Sequence, residues 1–91
     1  MENVIKNAVV IGAGSMGAGI AAHLANSGAN VTLLDIPAKE GDRDAISKDG
    51  VTRQLKSHGF MRPEFADRVA TGNTEDNLDV VANADWVIEA I

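Results

Sequence analysis

One stretch near the amino terminus restricts the fold of this chain more than any other. It begins with a short apolar run, Ala8–Ile11, and passes through the sequence GAGSMG at positions 12–17 into a segment with helical character. A second apolar run, Val31–Leu34, ends at Asp35. A strand, a glycine turn, a helix, a second strand and an acid about 20 residues past the turn form a βαβ unit that is typical of dinucleotide binding.

Each glycine of this turn has a physical role in such a unit. Gly12 lets the chain turn sharply out of the first strand, and Gly14 lacks the Cβ that would keep a pyrophosphate away from the backbone. Gly17 lets the helix pack closely against the strand. The helix then begins with N–H groups that have no partner within it, and these groups favour an anion.

Asp35 predicts which nicotinamide cofactor the site prefers. A carboxylate at the end of the second strand accepts hydrogen bonds from the hydroxyls of the adenosine ribose, whereas a 2′-phosphate would meet a like charge. Ile36 and Pro37 follow, and no Arg stands beside the acid. The sequence therefore favours NAD over NADP.

A membrane span, a signal peptide and a glycine-rich loop without a ligand are the alternatives for this stretch. Residues 8–34 contain no Asp, Glu, Lys or Arg, but a membrane span needs about 20 mostly apolar residues and the glycines and polar residues interrupt every run. A signal peptide is disfavoured because the apolar run after Lys6 is broken at once by glycines. The glycine-rich structural loop remains as the alternative to a dinucleotide site.

Composition limits the other classes of function. The 91 residues suffice for one small domain, and the net charge of −5 argues against nucleic-acid or anionic-membrane partners. The chain has no Cys, so it forms neither a disulfide nor a thiolate metal site. His23 and His58 are the only histidines, and we predict no metal site. We expect a cytoplasmic protein.

Strand-like and helix-like segments alternate along the chain. The predicted strands are Asn7–Ile11, Val31–Leu34, Arg68–Thr71 and Trp86–Ile91, and the predicted helices are Ser15–Ser27, Asp44–Ser57 and a third that Thr74 caps after a Gly72-Asn73 turn. This alternation predicts an α/β fold with a parallel, Rossmann-like sheet of order 3-2-1-4. The ligand crevice should lie between strands one and four, where the strand order reverses.

Three segments carry a family resemblance: GAGSMGAGIAAHLANSGANVTLLDI, EFADRVATGNTED and ADWVIEAI. They resemble the NAD-binding domain of bacterial 3-hydroxyacyl-CoA dehydrogenases of fatty-acid β-oxidation, in particular the long forms with an enoyl-CoA hydratase-like part. The resemblance implies NAD as cofactor and oxidation of 3-hydroxyacyl-CoA to 3-ketoacyl-CoA. It implies that the cofactor is bound by Gly12, Ala13, Gly14, Ser15, Met16, Gly17, Asp35, Ile36, Ala90 and Ile91.

The resemblance also implies what residues 1–91 lack. The catalytic His-Glu pair of the family and most of its acyl-CoA site lie beyond the position of Ile91, and Glu89 does not match a catalytic acid. We therefore expect residues 1–91 to be an amino-terminal dinucleotide-binding domain that lacks the catalytic and dimerising parts and is inactive alone. Its fourth strand would be an exposed apolar edge, which predicts self-association.

Two alternative functions stay open from the sequence. One is the nucleotide-binding half of another NAD-dependent dehydrogenase, acting on a hydroxy acid or a nucleotide sugar. The other is a module that binds a nucleotide without catalysing a reaction.

Overall fold

A computed structural model of the chain describes residues 5–91. These residues form the strands β1 (Asn7–Ile11), β2 (Asn30–Asp35), β3 (Val69–Asn73) and β4 (Trp86–Glu89), and the helices α1 (Ser15–Asn26) and α2 (Ala45–Lys56). Two short 3₁₀ segments, Pro63–Arg68 and Leu78–Asn83, precede β3 and β4. The predicted elements therefore exist, apart from the third helix, and most boundaries differ by one or two residues.

The sheet is parallel throughout and has the order β3-β2-β1-β4, which confirms the predicted topology. Val10 in β1 lies opposite Leu33 in β2 and Ile88 in β4. Val9 and Val10 point to opposite faces and both are buried. This explains why β1 reads as a continuous apolar run. The register also brings the carboxyl ends of β1 and β4 side by side.

The core lies between the sheet and α1. The buried face of α1 consists of small residues and one leucine: Gly17, Ala18, Ala21, Ala22, Leu24 and Ala25. Alanines let the helix axis approach the sheet closely, because each projects only a methyl group. The four-residue spacing of Met16, Ile20 and Leu24 predicts that all three share this face, but Met16 is 69% exposed and lies outside it, in the first turn.

Helix α2 packs against the glycine turn through Gly50. A glycine inside a helix weakens it, yet Gly50 is buried, and a Cβ there would lie 3.0 Å from the Ala13 carbonyl oxygen. The missing side chain thus allows the close approach. From the sequence, a glycine at position 59 predicts that α2 ends there in a left-handed conformation. The residue with positive φ is instead His58, at 63°.

The segment after β3 differs from the prediction. Gly72 and Asn73 are the last residues of β3 rather than a turn, and no helix begins at Thr74. The Asn73 side-chain oxygen accepts hydrogen bonds from the backbone N–H groups of Glu75 and Asp76. A tight turn therefore forms where a helix was predicted, and a 3₁₀ segment follows it.

The remaining segments mainly serve packing. Phe60 is buried, and Phe65 is partly buried with the Arg68 guanidinium 4.1 Å from its ring centroid.

Strand β4 ends at Glu89 rather than Ile91, although the Ala90 N–H still donates to the Ile11 carbonyl at 2.7 Å. Within residues 5–91, neither helix is long and apolar enough to cross a bilayer.

Candidate dinucleotide-binding site

The glycine turn leaves β1 in a conformation that suits only small residues. Gly12 has φ 109°, and its N–H donates to the Leu34 carbonyl at 2.7 Å. A Cβ at Gly17 would lie 1.6 Å from the Gly12 carbonyl oxygen, which no side chain permits. These contacts confirm the predicted local roles of Gly12 and Gly17, because turn and helix are in direct contact at these two positions.

The amino end of α1 is open and carries unpaired donors. Within residues 5–91, the structure gives no acceptor for the N–H groups of Gly14, Ser15, Met16 and Gly17. The first turn contains no acid, and no side chain caps it. A Cβ built at Gly14 would meet no atom of the described residues within 4 Å. A helix end with free N–H groups, a positive dipole and open space in front of it suits a phosphate group.

Asp35 lies at the end of β2 and points its carboxylate at the turn. One oxygen, Oδ2, accepts the Ala13 N–H at 2.6 Å, and the other, Oδ1, accepts the Ile36 N–H at 2.6 Å. A carboxylate has about four acceptor positions, so about two remain for ribose hydroxyls. Asp35 is thus both a support of the turn and a partly exposed acceptor.

The end of β4 lies against the same turn. A Cβ at Gly12 would be 2.8 Å from the Ala90 carbonyl oxygen and 3.2 Å from the Ile91 nitrogen. The predicted contacts Ala90 and Ile91 are therefore next to the glycine turn, at the point where the sheet order reverses. Ile91 is 92% exposed, and Met16 and Ile36 are also exposed around the turn.

Arg53 contacts the turn from α2, and sequence analysis missed this contact. Its Nη2 donates to the Ala13 carbonyl oxygen at 2.6 Å. The two residues are 40 positions apart in the chain, so no local pattern indicates that they meet. Ala13 is therefore held by two side chains, since Asp35 accepts its N–H group and Arg53 donates to its carbonyl oxygen.

Asn73 organises a second group of polar contacts that sequence analysis missed. It is 1% exposed, and its side-chain amide donates to Asp44 and Asp76 at 2.8 and 2.9 Å. Arg43 pairs with Asp76 and Glu75 at the surface. Hydrogen bonds from Arg43 and, to a smaller extent, from Asn73 lower the pKa of Asp76.

Two further hydrogen bonds hold the residues on either side of Asn73 close to Asp35 and α2. The Thr74 N–H donates to the Asp35 carbonyl oxygen at 2.9 Å, and the Ser47 hydroxyl donates to the Gly72 carbonyl oxygen at 2.8 Å. The ends of β2 and β3 and the start of α2 are thus joined by hydrogen bonds. These three segments border the site on the side where Asp35 lies.

Other polar features lie away from this site. His23 is exposed on α1 and His58 follows α2, so neither residue is part of the glycine turn. A cavity of about 440 Å³ lies at the opposite end of the sheet, beside Asn7, Asn30 and Asp67. Ligands of parallel α/β sheets bind at the carboxyl ends of the strands, so this cavity is not the nucleotide site.

Comparison with known families agrees with this geometry. The family model described as "3-hydroxyacyl-CoA dehydrogenase, NAD binding domain" matches residues 7–91. The chain belongs to this family. The family description names NAD, which is the cofactor that the sequence predicted.

Relatives of known name support the assignment. A probable 3-hydroxyacyl-CoA dehydrogenase of Deinococcus radiodurans is 52% identical over 91 residues, covering 96% of this chain and 26% of the relative. Human mitochondrial hydroxyacyl-coenzyme A dehydrogenase is 33% identical over 100 residues, covering 97% of this chain and 30% of the relative. The chain therefore spans less than a third of these two relatives.

A solved structure shows the same fold. The crystal structure of (S)-3-hydroxybutyryl-CoA dehydrogenase from Ralstonia eutropha superimposes with a TM-score of 0.69 at 30% identity. The match covers 94% of this chain and 31% of that chain. The four-stranded sheet and its flanking helices are thus those of a Rossmann-like dehydrogenase domain.

Proposed function

We propose that this chain is the dinucleotide-binding portion of an NAD-dependent enzyme that oxidises 3-hydroxyacyl-CoA to 3-ketoacyl-CoA in fatty-acid β-oxidation. The observation that carries the proposal is the open amino end of α1, where N–H groups without an acceptor among residues 5–91 lie around Gly14. Membership of the family supplies the cofactor. The names of the relatives supply the substrate class.

The residues that we assign to the cofactor fall into three groups around the turn. The N–H groups at the start of α1 suit the pyrophosphate, the Asp35 carboxylate suits the adenosine ribose, and the backbone at the end of β4 suits the nicotinamide ribose. The proposed contacts are Gly12, Ala13, Gly14, Ser15, Met16, Gly17, Asp35, Ile36, Ala90 and Ile91.

NAD, when bound, supplies the chemistry by accepting a hydride from the substrate. The part of this chain is to bind and orient the cofactor. Neither His23 nor His58 belongs to the glycine turn, so neither is placed to take the hydroxyl proton of a substrate there. We therefore propose that the catalytic base of the enzyme is not among residues 1–91.

Calorimetric titration of the chain with NAD and NADP tests the cofactor assignment. We expect NAD to bind at least about tenfold more tightly, since Asp35 accepts hydrogen bonds from a ribose hydroxyl but repels a 2′-phosphate. Equal affinity for both cofactors would contradict the role of Asp35. No detectable binding of either would contradict the proposed function itself.

The absence of a base has its own test. A mixture of the chain, NAD and a 3-hydroxyacyl-CoA is followed by the absorbance of the reduced cofactor. We expect no rate above that of the mixture without protein. Turnover by the chain alone would show that a residue within 1–91 acts as base.

We also propose that β4 mediates self-association. In the described sheet β4 pairs only with β1, and Trp86 and Val87 are 49% and 39% exposed. An exposed apolar edge strand offers its free N–H and C=O groups to a second chain. Ile88 packs against the core, so Val87→Lys is the better test because it adds charge without opening the core.

Light scattering across a concentration series measures this association. We expect the apparent mass of the chain to rise with concentration and Val87→Lys to remain a monomer. A wild-type chain that stays monomeric at high concentration would contradict the proposal. A cytoplasmic location stays a prediction.

A further inference from the structure

The Ala13 residue of the glycine turn is held from two sides by different elements. Its N–H donates to Asp35 Oδ2 at the end of β2, and its carbonyl oxygen accepts from Arg53 Nη2 of α2, both at 2.6 Å. Ala13 is 1% exposed. Both bonds involve a charged partner, which makes them stronger than bonds between neutral groups.

The Arg53 bond sets the direction of the neighbouring amide. A trans peptide group is planar, so its C=O and N–H point in opposite directions. The Ala13 carbonyl points towards Arg53, and the Gly14 N–H of the same peptide group therefore points away from α2. This N–H has no acceptor within residues 5–91.

Glycine makes this peptide group easy to rotate. Gly14 tolerates a wide range of backbone angles, and no atom of residues 5–91 lies within 4 Å of the position its Cβ would occupy. Without the hydrogen bond from Arg53, the Ala13–Gly14 peptide group can flip and present its carbonyl oxygen to the phosphate. A carbonyl dipole in that orientation repels an anion.

Helix α2 is shaped to supply the Arg53 contact. Gly50 and Arg53 are three residues apart and share one helix face. A Cβ at Gly50 would lie 3.0 Å from the Ala13 carbonyl oxygen, so the bare backbone of Gly50 brings α2 against the turn. Arg53 then reaches the same oxygen with its guanidinium.

We propose that Arg53 is a positioning residue for pyrophosphate binding, acting through the orientation of the Ala13–Gly14 peptide group. The proposal rests on the proposed function, because it concerns the same cofactor site. Arg53 needs no contact with the cofactor for this role. Its effect should therefore be confined to ligands that carry the phosphates.

The test compares Arg53→Ala with Lys56→Ala, which removes the same charge one turn further along α2. Each protein is titrated with ADP and with adenosine by ¹H–¹⁵N NMR. We expect Arg53→Ala to weaken ADP binding about tenfold, since a charge-assisted hydrogen bond orders the amide. Adenosine binding should stay within about twofold. Lys56→Ala should change neither affinity beyond about twofold.

The Gly14 amide resonance of the free protein gives a readout that needs no ligand. We expect it to shift or broaden in Arg53→Ala and to stay unchanged in Lys56→Ala. Arg53→Lys, which keeps one charged donor, should recover part of the ADP affinity. Should Arg53→Ala fail to fold, Arg53→Gln gives the same comparison with a neutral donor.

Three outcomes count against the positioning role. Unchanged ADP affinity in a folded Arg53→Ala would overturn it, and so would an unchanged Gly14 resonance. An equal loss of ADP and adenosine affinity would show that Arg53 only supports the fold. Failure of the wild-type chain to bind NAD or ADP would instead contradict the proposed function, so the two failures are distinguishable.

Discussion

Gly28 and His58 occupy equivalent positions at the ends of α1 and α2. Gly28 has φ 103° and His58 has φ 63°. The following residue closes each helix in the same way: the Ala29 N–H donates to the Leu24 carbonyl at 3.1 Å, and the Gly59 N–H donates to the Gln54 carbonyl at 2.8 Å. Both helices therefore end in a Schellman motif, but only α1 places a glycine at its left-handed position.

This difference predicts opposite effects of two substitutions. His58→Gly should raise the free energy of unfolding by about 0.5–1 kcal/mol, because it relieves a left-handed conformation that is unfavourable for side chains. Gly28→Ala should lower it by about 1 kcal/mol, although the new Cβ would meet no atom of the described part of the chain within 4 Å. Urea denaturation measures both. A destabilised His58→Gly would show that the imidazole makes a stabilising contact.

Asp35 combines a structural and a binding role, which two substitutions separate. Asp35→Asn keeps an acceptor for the turn but removes the charge, so it should lose the preference for NAD over NADP and stay folded. Asp35→Ala also leaves the Ala13 and Ile36 N–H groups without this partner. Asp35→Ala also removes the acceptor for the ribose hydroxyls. We expect it to weaken NAD binding further, by roughly 1.5–3 kcal/mol for each ribose hydrogen bond to the carboxylate that is lost.

Calorimetry with both cofactors and thermal denaturation of both variants provide the measurements. A variant Asp35→Asn that still rejects NADP would mean that another group determines cofactor choice.

Gly14→Val tests the phosphate site without disturbing the fold. Gly14 has φ −70°, which every residue tolerates, and its Cβ position is open. The isopropyl group would occupy the space in front of α1, so NAD binding should be lost while the circular dichroism spectrum stays unchanged.

Gly17→Val is the matched control for this prediction. A Cβ there would lie 1.6 Å from the Gly12 carbonyl oxygen, so this variant should unfold. Wild-type NAD affinity in a folded Gly14→Val would show that the phosphate does not bind at this position.

Asp85 predicts how stability depends on pH. Its Oδ2 accepts the N–H groups of Asn7 and Lys6, both at 2.9 Å, and these bonds lower the pKa of the carboxyl below its usual range. The stabilisation is therefore present above the unfolded pKa of about 3.9 and is lost as the pH falls through the folded value. The pKa values of Asp42 and Asp76 are lowered too, by bonds to Lys48 and Arg43.

We expect the wild-type chain to lose stability progressively below about pH 4. Asp85→Asn should be less stable at pH 7 and should lose less on acidification, because its side chain cannot be protonated in this range. Asp79→Asn, at an exposed carboxylate, serves as the control. Identical pH profiles for Asp85→Asn and the wild-type chain would contradict the role of the two backbone bonds.

The βαβ unit, the strand order and the family were all predictable from the order of the amino acids. These features depend on local signals: apolar runs for strands, glycines where the turn meets α1, and an acid at the end of β2. The alternation of strands and helices then leaves few topologies, since parallel strands require right-handed crossovers. Element bounds were therefore most predictable around residues 7–35.

The distant groups that support the site became apparent only in the folded chain. Arg53 reaches Ala13 across 40 residues of chain, and buried Asn73 gathers Asp44 and Asp76. The Arg53–Ala13 and Asn73–Asp44 contacts have no local pattern, because hydrogen bonds between elements depend on how those elements pack. The turn after β3 uses local hydrogen bonds, from the Glu75 and Asp76 N–H groups to the Asn73 side-chain oxygen. Asn73 is nevertheless placed by tertiary structure, because it ends β3 opposite Asp35 of β2 and so stands where a turn was predicted before a helix capped by Thr74.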